Sequence, residues 1–309
     1  MAFSEIYERQ VRLLLQLLPL VAMEDCFALK GGTAINLFVR DMPRLSVDID
    51  LTYLPISGRA ESLAAIDAAL RRIAQRIEDR LRGVSFTFST MMPEKTATKV
   101  LVRQGNTQVK IEVTPVLRGC VFEPELRTVS RAVEAAFGFA EMNVVSFADL
   151  YAGKIVAALD RQHPRDLFDV RDLLANEGIG DELRTAFVVY LLSHNRPMAE
   201  ILAPSRKSLT AEFDRGFVGM TTHPVSLEEL SQTRESLIAL IAVQLPDSHR
   251  HFLLSFERGE ADWALLNVPA ARELPAVRWR LQNLASLAKD ERARLVRQLE
   301  SILFADGAD

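Results

Sequence analysis

The segment Val47-Asp48-Ile49-Asp50-Leu51 constrains this chain more than any other stretch. In a strand, successive side chains alternate faces, so Val47, Ile49 and Leu51 enter a packed layer while Asp48 and Asp50 share the opposite face. Two carboxylates on one face repel unless a cation lies between them. About fifteen residues earlier stands Lys30-Gly31-Gly32-Thr33, which reads as a turn opening a helix. Ala34, Ile35, Leu37 and Phe38 give the span from Thr33 to Arg40 an apolar side, and the glycines let backbone N–H groups approach a ligand. A helix N-terminus favours phosphate. A Gly-Gly turn alone is usually a tight connection, and Asp-x-Asp alone is usually a solvated strand face. Joined at this spacing, they suit a nucleoside triphosphate and its metal ions.

A second informative stretch runs from Ser146 to Val170. Ser146 is a plausible N-cap with Asp149 three positions on, and Leu150, Ile155, Ala158 and Leu159 form a helical stripe. Lys154 interrupts this apolar stretch. A lysine there ordinarily extends its ammonium to solvent, whereas beside a triphosphate it has a counter-ion. Pro164 suits the first turn of a following helix that carries Arg165, Asp166, Asp169 and Asp172 before Gly178 stops it.

These two segments bear a resemblance. Lys30-Gly-Gly-Thr together with Arg44, Ser46, Asp48 and Asp50 resembles the first motif of DNA polymerase β-like nucleotidyltransferases, and more narrowly that of the AbiEii/AbiGii toxin family, which includes the MenT toxins. Lys154 followed by Arg165-Asp166-x-x-Asp169 matches the family's later pattern. The resemblance implies an α+β fold, with a mixed-sheet lobe over residues 1–145 and a helical lobe over 146–309 that completes a cleft. It also implies a third carboxylate from a later strand. Val109-Lys-Ile-Glu-Val-Thr-Pro115 is the candidate, because Val109, Ile111 and Val113 would face the core and leave Lys110 and Glu112 on the face of Asp48 and Asp50.

On this resemblance Asp48, Asp50 and Glu112 hold two magnesium ions. Lys30, Gly31, Gly32, Thr33, Ser46, Lys154 and Arg165 contact the nucleotide, and Asp169 completes the site. Asp166 would pair with Arg165, Arg161 or Lys154. In nucleotidyl transfer an acceptor oxygen attacks the α-phosphate and pyrophosphate leaves, so charge must be neutralised on both oxygens. Hard cations take oxygen ligands, which requires neither cysteine nor histidine. Glu112 either accepts the acceptor's proton or only binds metal. The resemblance further implies a toxin that modifies the 3′ end of transfer RNA and is checked by a cognate antitoxin. Ser46 either hydrogen-bonds the neighbouring turn or a phosphate oxygen or, as the resemblance suggests, is a regulatory phosphosite. The same chemistry serves protein or small-molecule acceptors, and a nucleotide-binding module without catalysis is the other alternative.

Composition narrows the rest. With 309 residues, 49% apolar and 25% charged, the chain can bury a sizeable core. Cys26 and Cys120 show no metal spacing and read as reduced thiols in a cytoplasmic protein. The apolar run from Val11 to Met23 is interrupted by Arg12, Gln16 and Pro19, which predicts a packed amphipathic helix and no membrane span. Residues 61–82 read as helix. Val84–Thr90, Thr98–Gln104 and Gln108–Val113 read as strands separated by turns at Met92-Pro93-Glu94-Lys95 and Gly105-Asn106. A net charge of −4 argues against general nucleic-acid affinity. Local basic patches remain: Arg71, Arg72, Arg76, Arg80 and Arg82, and a later group from Arg272 to Arg297. His249 and His251 lack acidic or cysteine partners in sequence and are expected at the surface or as caps.

Overall fold

The computed structural model describes residues 3–92 and 95–304, so Pro93 and Glu94 of the expected turn lie outside the described residues. The chain forms two compact units, Met1–Ser146 with Phe217–Val225, and Phe147–Gly216 with Ser226–Asp309.

The first unit begins with α1 (Glu5–Val21), β1 (Phe27–Lys30), a short α2 (Gly31–Thr33), β2 (Asp48–Tyr53) and α3 (Arg59–Arg80). It continues with β3 (Val84–Met91), β4 (Thr96–Gln104), β5 (Thr107–Val113), β6 (Glu125–Thr128), α4 (Arg131–Phe137) and β7 (Glu141–Val144). The strands form one sheet in the order β3-β4-β5-β2-β1-β7-β6. Pairing is mixed: β2 runs parallel to β5 and β1 parallel to β7, while β1/β2, β3/β4, β4/β5 and β6/β7 are antiparallel. This is the α+β architecture that the sequence predicts. Ile49, Leu51, Val100, Val102, Val109, Ile111 and Val113 are buried, and α1 packs on β5 while α3 packs on β4. The buried positions alternate from Asp48 to Leu51 in β2, from Lys99 to Arg103 in β4 and from Gln108 to Val113 in β5, so the other side chains of these stretches form a second, polar face.

Two details differ from the sequence reading. The strand begins at Asp48 and not at Val47. The Gly-Gly-Thr helix is also not a regular α-helix: after α2 the chain widens into a π-helical stretch, Ala34–Val39, closed by the bond from the Arg40 amide to the Ile35 carbonyl at 2.7 Å. Its apolar side chains Ala34, Ile35, Leu37 and Phe38 are buried as expected. Segment 217–225 returns to this unit by pairing with residues 43–45. Leu45 N–H donates to the Met220 carbonyl at 2.7 Å, and Arg44 bridges Thr221.

The α1–β1 turn is tied to α3 by Glu24. Its side chain is 7% exposed and accepts from Arg72 at 2.6 Å, with Arg76 at 2.8 Å. Two members of the expected basic stripe are thereby committed to one buried carboxylate. A third, Arg71, pairs with Asp67 at 2.8 Å.

The second unit is helical: α5 (Phe147–Asp160), α6 (Pro164–Asn176), α7 (Asp181–Leu192), α8 (Met198–Leu202), α9 (Thr210–Gly216), α10 (Leu227–Gln244), α11 (Asp247–Glu257), α12 (Pro275–Ser286) and α13 (Lys289–Leu303). α5 packs against α6 and α7, and α10 covers α6. His249 is buried, contrary to the surface position expected from sequence. It lies on the helical stripe of Phe252, Leu253 and Phe256, which draws it inward, and that burial lowers its pKa. No helix among the described residues is long and apolar enough to cross a membrane.

Burial alone would raise the Glu24 carboxyl pKa, but the hydrogen bonds from Arg72 and Arg76 overcome it and hold the group below its ordinary 4.5. A depressed carboxylate pKa stabilises the fold above the unfolded value and ceases to do so as pH falls through the folded value. Glu24→Ala should therefore lower unfolding free energy by about 2 kcal/mol near neutral pH, with Arg72 half-solvated, and by less at acid pH. Urea unfolding at both pH values checks this.

Candidate active site

The polar face of the central sheet carries the predicted carboxylates. The register places Asp50 beside Glu112 and Asp48 beside Lys110 on β2 and β5. β4 adds Lys99 next to Glu112, and β1 adds Lys30 next to Asp50. One row across four strands therefore reads Lys99, Glu112, Asp50, Lys30, and the row beneath it brings Lys110 to Asp48. The two adjacent carboxylates of the first row are thus flanked by a lysine on each side, and Asp48 has a lysine as its register partner.

The cations are engaged. Lys110 Nζ lies 2.8 Å from one Glu112 oxygen and 3.9 Å from Asp48, while Lys99 Nζ lies 3.1 Å from the other Glu112 oxygen. Burial would raise the Glu112 pKa, yet bonds from Lys110 and Lys99 hold it below the ordinary glutamate range. Burial would likewise lower Lys110, but Glu112, Asp48 and Asp50 raise it. Lys30 donates to Thr114 Oγ1 at 2.7 Å. Its pKa is lowered by burial, against the pull of Asp50 and Glu112.

The Gly-Gly-Thr segment lies directly against this row. Gly31 has φ +73°, and a Cβ there would stand 2.8 Å from Asp50 Oδ2. A Cβ on Gly32 would meet Arg44 Nη2 and Ser46 Oγ, each at 2.8 Å. A side chain at either position would therefore displace these groups, and the conformation of Gly31 independently favours glycine. Thr33 donates towards Ser46 Oγ at 3.1 Å and the Asp48 carbonyl at 2.5 Å. Ser46 is 7% exposed.

The helical-unit residues form a separate, buried ion cluster. Lys154 is 6% exposed, with Nζ at 2.7 Å from Asp166 and 3.0 Å from Asp169, both fully enclosed. Arg161 adds a second cation to Asp166 at 2.5 Å. Asp166 thus pairs with Lys154 and Arg161 and not with Arg165. The Arg165 backbone amide donates to His163 Nδ1, which caps α6. Lys154 does not extend to solvent, because two carboxylates one turn apart on α6 receive it inside.

Sequence reasoning missed Lys99 and Thr114. Lys99 alternates with the buried Val100 and Val102 in a predicted strand, so carrying the period-two face one strand further would have found it. Thr114 follows β5 and has no pattern of its own.

Asp48, Asp50 and Glu112 are hard oxygen donors, partly exposed on one face, with a lysine ammonium between Asp48 and Glu112. That donor set fits a divalent cation. Among the described residues, no group of three or more His, Cys, Asp or Glu side chains converges closely enough to hold a metal. Lys110 stands at the position between Asp48 and Glu112.

Comparison with known proteins follows the same line. The family model of the nucleotidyl transferase AbiEii toxin, type IV toxin–antitoxin system, matches residues 12–283. Among solved structures, the chain is similar to MenT4, the nucleotidyltransferase toxin Rv2826c of Mycobacterium tuberculosis H37Rv. The TM-score is 0.58 at 19% identity, covering 91% of this chain and 94% of that one, a likeness of fold. None of the curated proteins matches it by sequence.

The buried cluster yields its own test. Burial would raise Asp166, but Lys154 and Arg161 hold it far below its ordinary 3.8. Its stabilisation is present above that ordinary value and is lost as pH falls through the folded one. Asp166→Asn should cost about 3 kcal/mol at neutral pH, since it leaves a buried lysine with half its counter-charge. Chemical denaturation across pH should show this difference shrinking in acid.

Proposed function

We propose that this chain, which belongs to the AbiEii family of nucleotidyltransferase toxins of type IV toxin–antitoxin systems, transfers a nucleotide from a nucleoside triphosphate to the 3′ end of transfer RNA in the cytoplasm. The observation that carries the reading is the juxtaposition of Asp48, Asp50 and Glu112 on paired strands with a glycine turn held against Asp50. In this proposal Asp48, Asp50 and Glu112 hold two magnesium ions, which neutralise charge on the attacking and leaving oxygens.

The remaining roles belong to the chain's own groups. Gly31, Gly32 and Thr33 bring backbone N–H groups to the triphosphate, and Lys30, one register step from Asp50, supplies positive charge beside it. Thr33 fixes the turn to β2 through Ser46 and the Asp48 carbonyl. Lys110 and Lys99 keep Glu112 ionised until substrate and cations replace them. The roles of Lys154, Arg165 and Asp169 at the nucleotide rest on the family pattern, beside the ion cluster that the first and last of them form. Phosphorylation of Ser46 would add roughly −1.5 to −2 charge close to Asp48 and Asp50 and disfavour triphosphate binding. The hydroxyl is buried, so that modification requires local opening.

The acceptor rests on the family likeness and on charge. With Arg71, Arg72 and Arg76 committed to carboxylates, the exposed basic residues of α13, Lys289, Arg294 and Arg297, are the better phosphate contacts. A cognate antitoxin is the expected partner.

Incubation with each labelled nucleoside triphosphate, total RNA and total protein tests the whole reading. Label is expected on transfer RNA, in a reaction abolished by chelator and weakened as salt rises. Label only on protein or on small molecules would replace the acceptor, and triphosphate binding without any transfer would leave a binding module. Asp48→Asn and Asp50→Asn should each reduce transfer by at least about a hundredfold with the fold intact by circular dichroism. Lys154→Ala should also weaken triphosphate affinity; unchanged affinity there, and in Asp169→Ala, would confine these residues to the ion cluster.

A further inference from the structure

The two edges of the sheet are built differently. β6 is short, four residues with Glu125 and Arg127 among them, which is how natural edges discourage pairing. β3 is eight residues, Val-Ser-Phe-Thr-Phe-Ser-Thr-Met, without a charge or proline. It ends the strand order, so among the described residues no strand pairs with its outer side. Its one irregularity falls between Ser89 and Thr90, leaving Val84 to Ser89 regular. Ser85, Thr87 and Ser89 are exposed on one face, while Phe86 and Phe88 are half-buried on the face that α3 covers. The guanidinium of Arg71 lies 5.2 Å from the Phe88 ring, and Asp67 neutralises it.

We infer that β3 is a self-pairing edge, and that two copies of this chain join antiparallel through it into one continuous sheet. The occupant is argued from the strand's own symmetry. A two-fold axis through Thr87 sets Thr87 opposite its counterpart and Phe86 opposite Phe88 of the second copy, twice over. No charge on the strand meets a like charge across that axis, whereas a Glu or Lys anywhere in the register would. The helices allow it too. α3 packs mainly over β4, so the two α3 helices would stand three strand spacings apart, roughly 14 Å. That exceeds a helix diameter of roughly 10–12 Å. The carboxylate faces of both copies would then lie on the same side of the joined sheet.

Sedimentation velocity on the full chain over a concentration series, combined with amide hydrogen exchange, tests this. The expected result is a concentration-dependent dimer in which the amides of Val84 to Ser89 become slower to exchange as dimer forms. Thr87→Lys, an exposed position outside the active site, places two ammonium groups face to face and should raise the dissociation constant at least about tenfold with circular dichroism unchanged. A monomer at every soluble concentration would overturn the inference. So would a dimer that Thr87→Lys leaves as tight, or one that forms without added protection on β3. If the lysine variant fails to fold, the exchange result on the unaltered chain decides alone.

Discussion

Everything around the candidate active site answers to one electrostatic constraint, the repulsion among three carboxylates on neighbouring strands. Asp50 and Glu112 are register partners, and Asp48 lies one row away on the same face. At the strand spacing, such charges interact strongly in a half-buried setting unless compensated. The protein compensates with lysines on three strands: Lys99 from β4, Lys110 from β5 and Lys30 from β1. The opposing shifts of Glu112 and Lys110 express that compensation from both sides. Positive charge is therefore a condition of the strands lying side by side, and the ammonium groups supply what divalent cations and substrate would otherwise bring.

The glycines follow from the same geometry. For a backbone to reach the carboxylate row, its first residues must lie within van der Waals contact of Asp50, Arg44 and Ser46, and a Cβ at either Gly31 or Gly32 would come to 2.8 Å of them. The widened helical turn over Ala34–Val39 then buries the apolar side chains behind the turn. Turns of this kind recur at functional sites, where the chain sets ligand geometry at some cost to regular hydrogen bonding. The pairing of Leu45 with Met220 fastens the approach to β2 from the other side, so Arg44 and Ser46 are held between two backbone segments.

What could be read from the sequence was what alternation and caps encode. The strands Val84–Thr90, Thr98–Gln104 and Gln108–Val113, the helix near 61–82 and the apolar N-terminal helix all appear with shifts of a few residues, because period-two and period-3.6 patterns survive in single segments. The shared face of Asp48 and Asp50 was legible for the same reason, whereas Glu112 was joined to them only through the family resemblance. Pairing partners were not legible, since nothing within β4 says that Lys99 will stand beside Glu112. The return of residues 217–225 to β2's approach is likewise invisible, being made by backbone bonds between Leu45 and Met220 and between Thr222 and Pro43, far apart in sequence. His249 failed for a different reason: its place in an apolar stripe outweighed its polarity, whereas residue type alone suggested the surface.

The buried cluster of the helical unit shows why a motif and its role are separate questions. Lys154, Asp166 and Asp169 satisfy the family spacing, and that spacing places two carboxylates one turn apart on α6, both facing a lysine on α5. With Arg161 also on Asp166, two cations balance two anions, and the group can be buried without a substrate. Such a pairing contributes little net stability over an apolar core but makes the loss of any one member expensive. A lysine recruited to a phosphate from this position would have to leave at least one carboxylate partner, and Arg161 is the residue able to take up Asp166 when it does. The cluster as it stands pins α5 to α6, and the family spacing alone does not make its lysine a phosphate ligand.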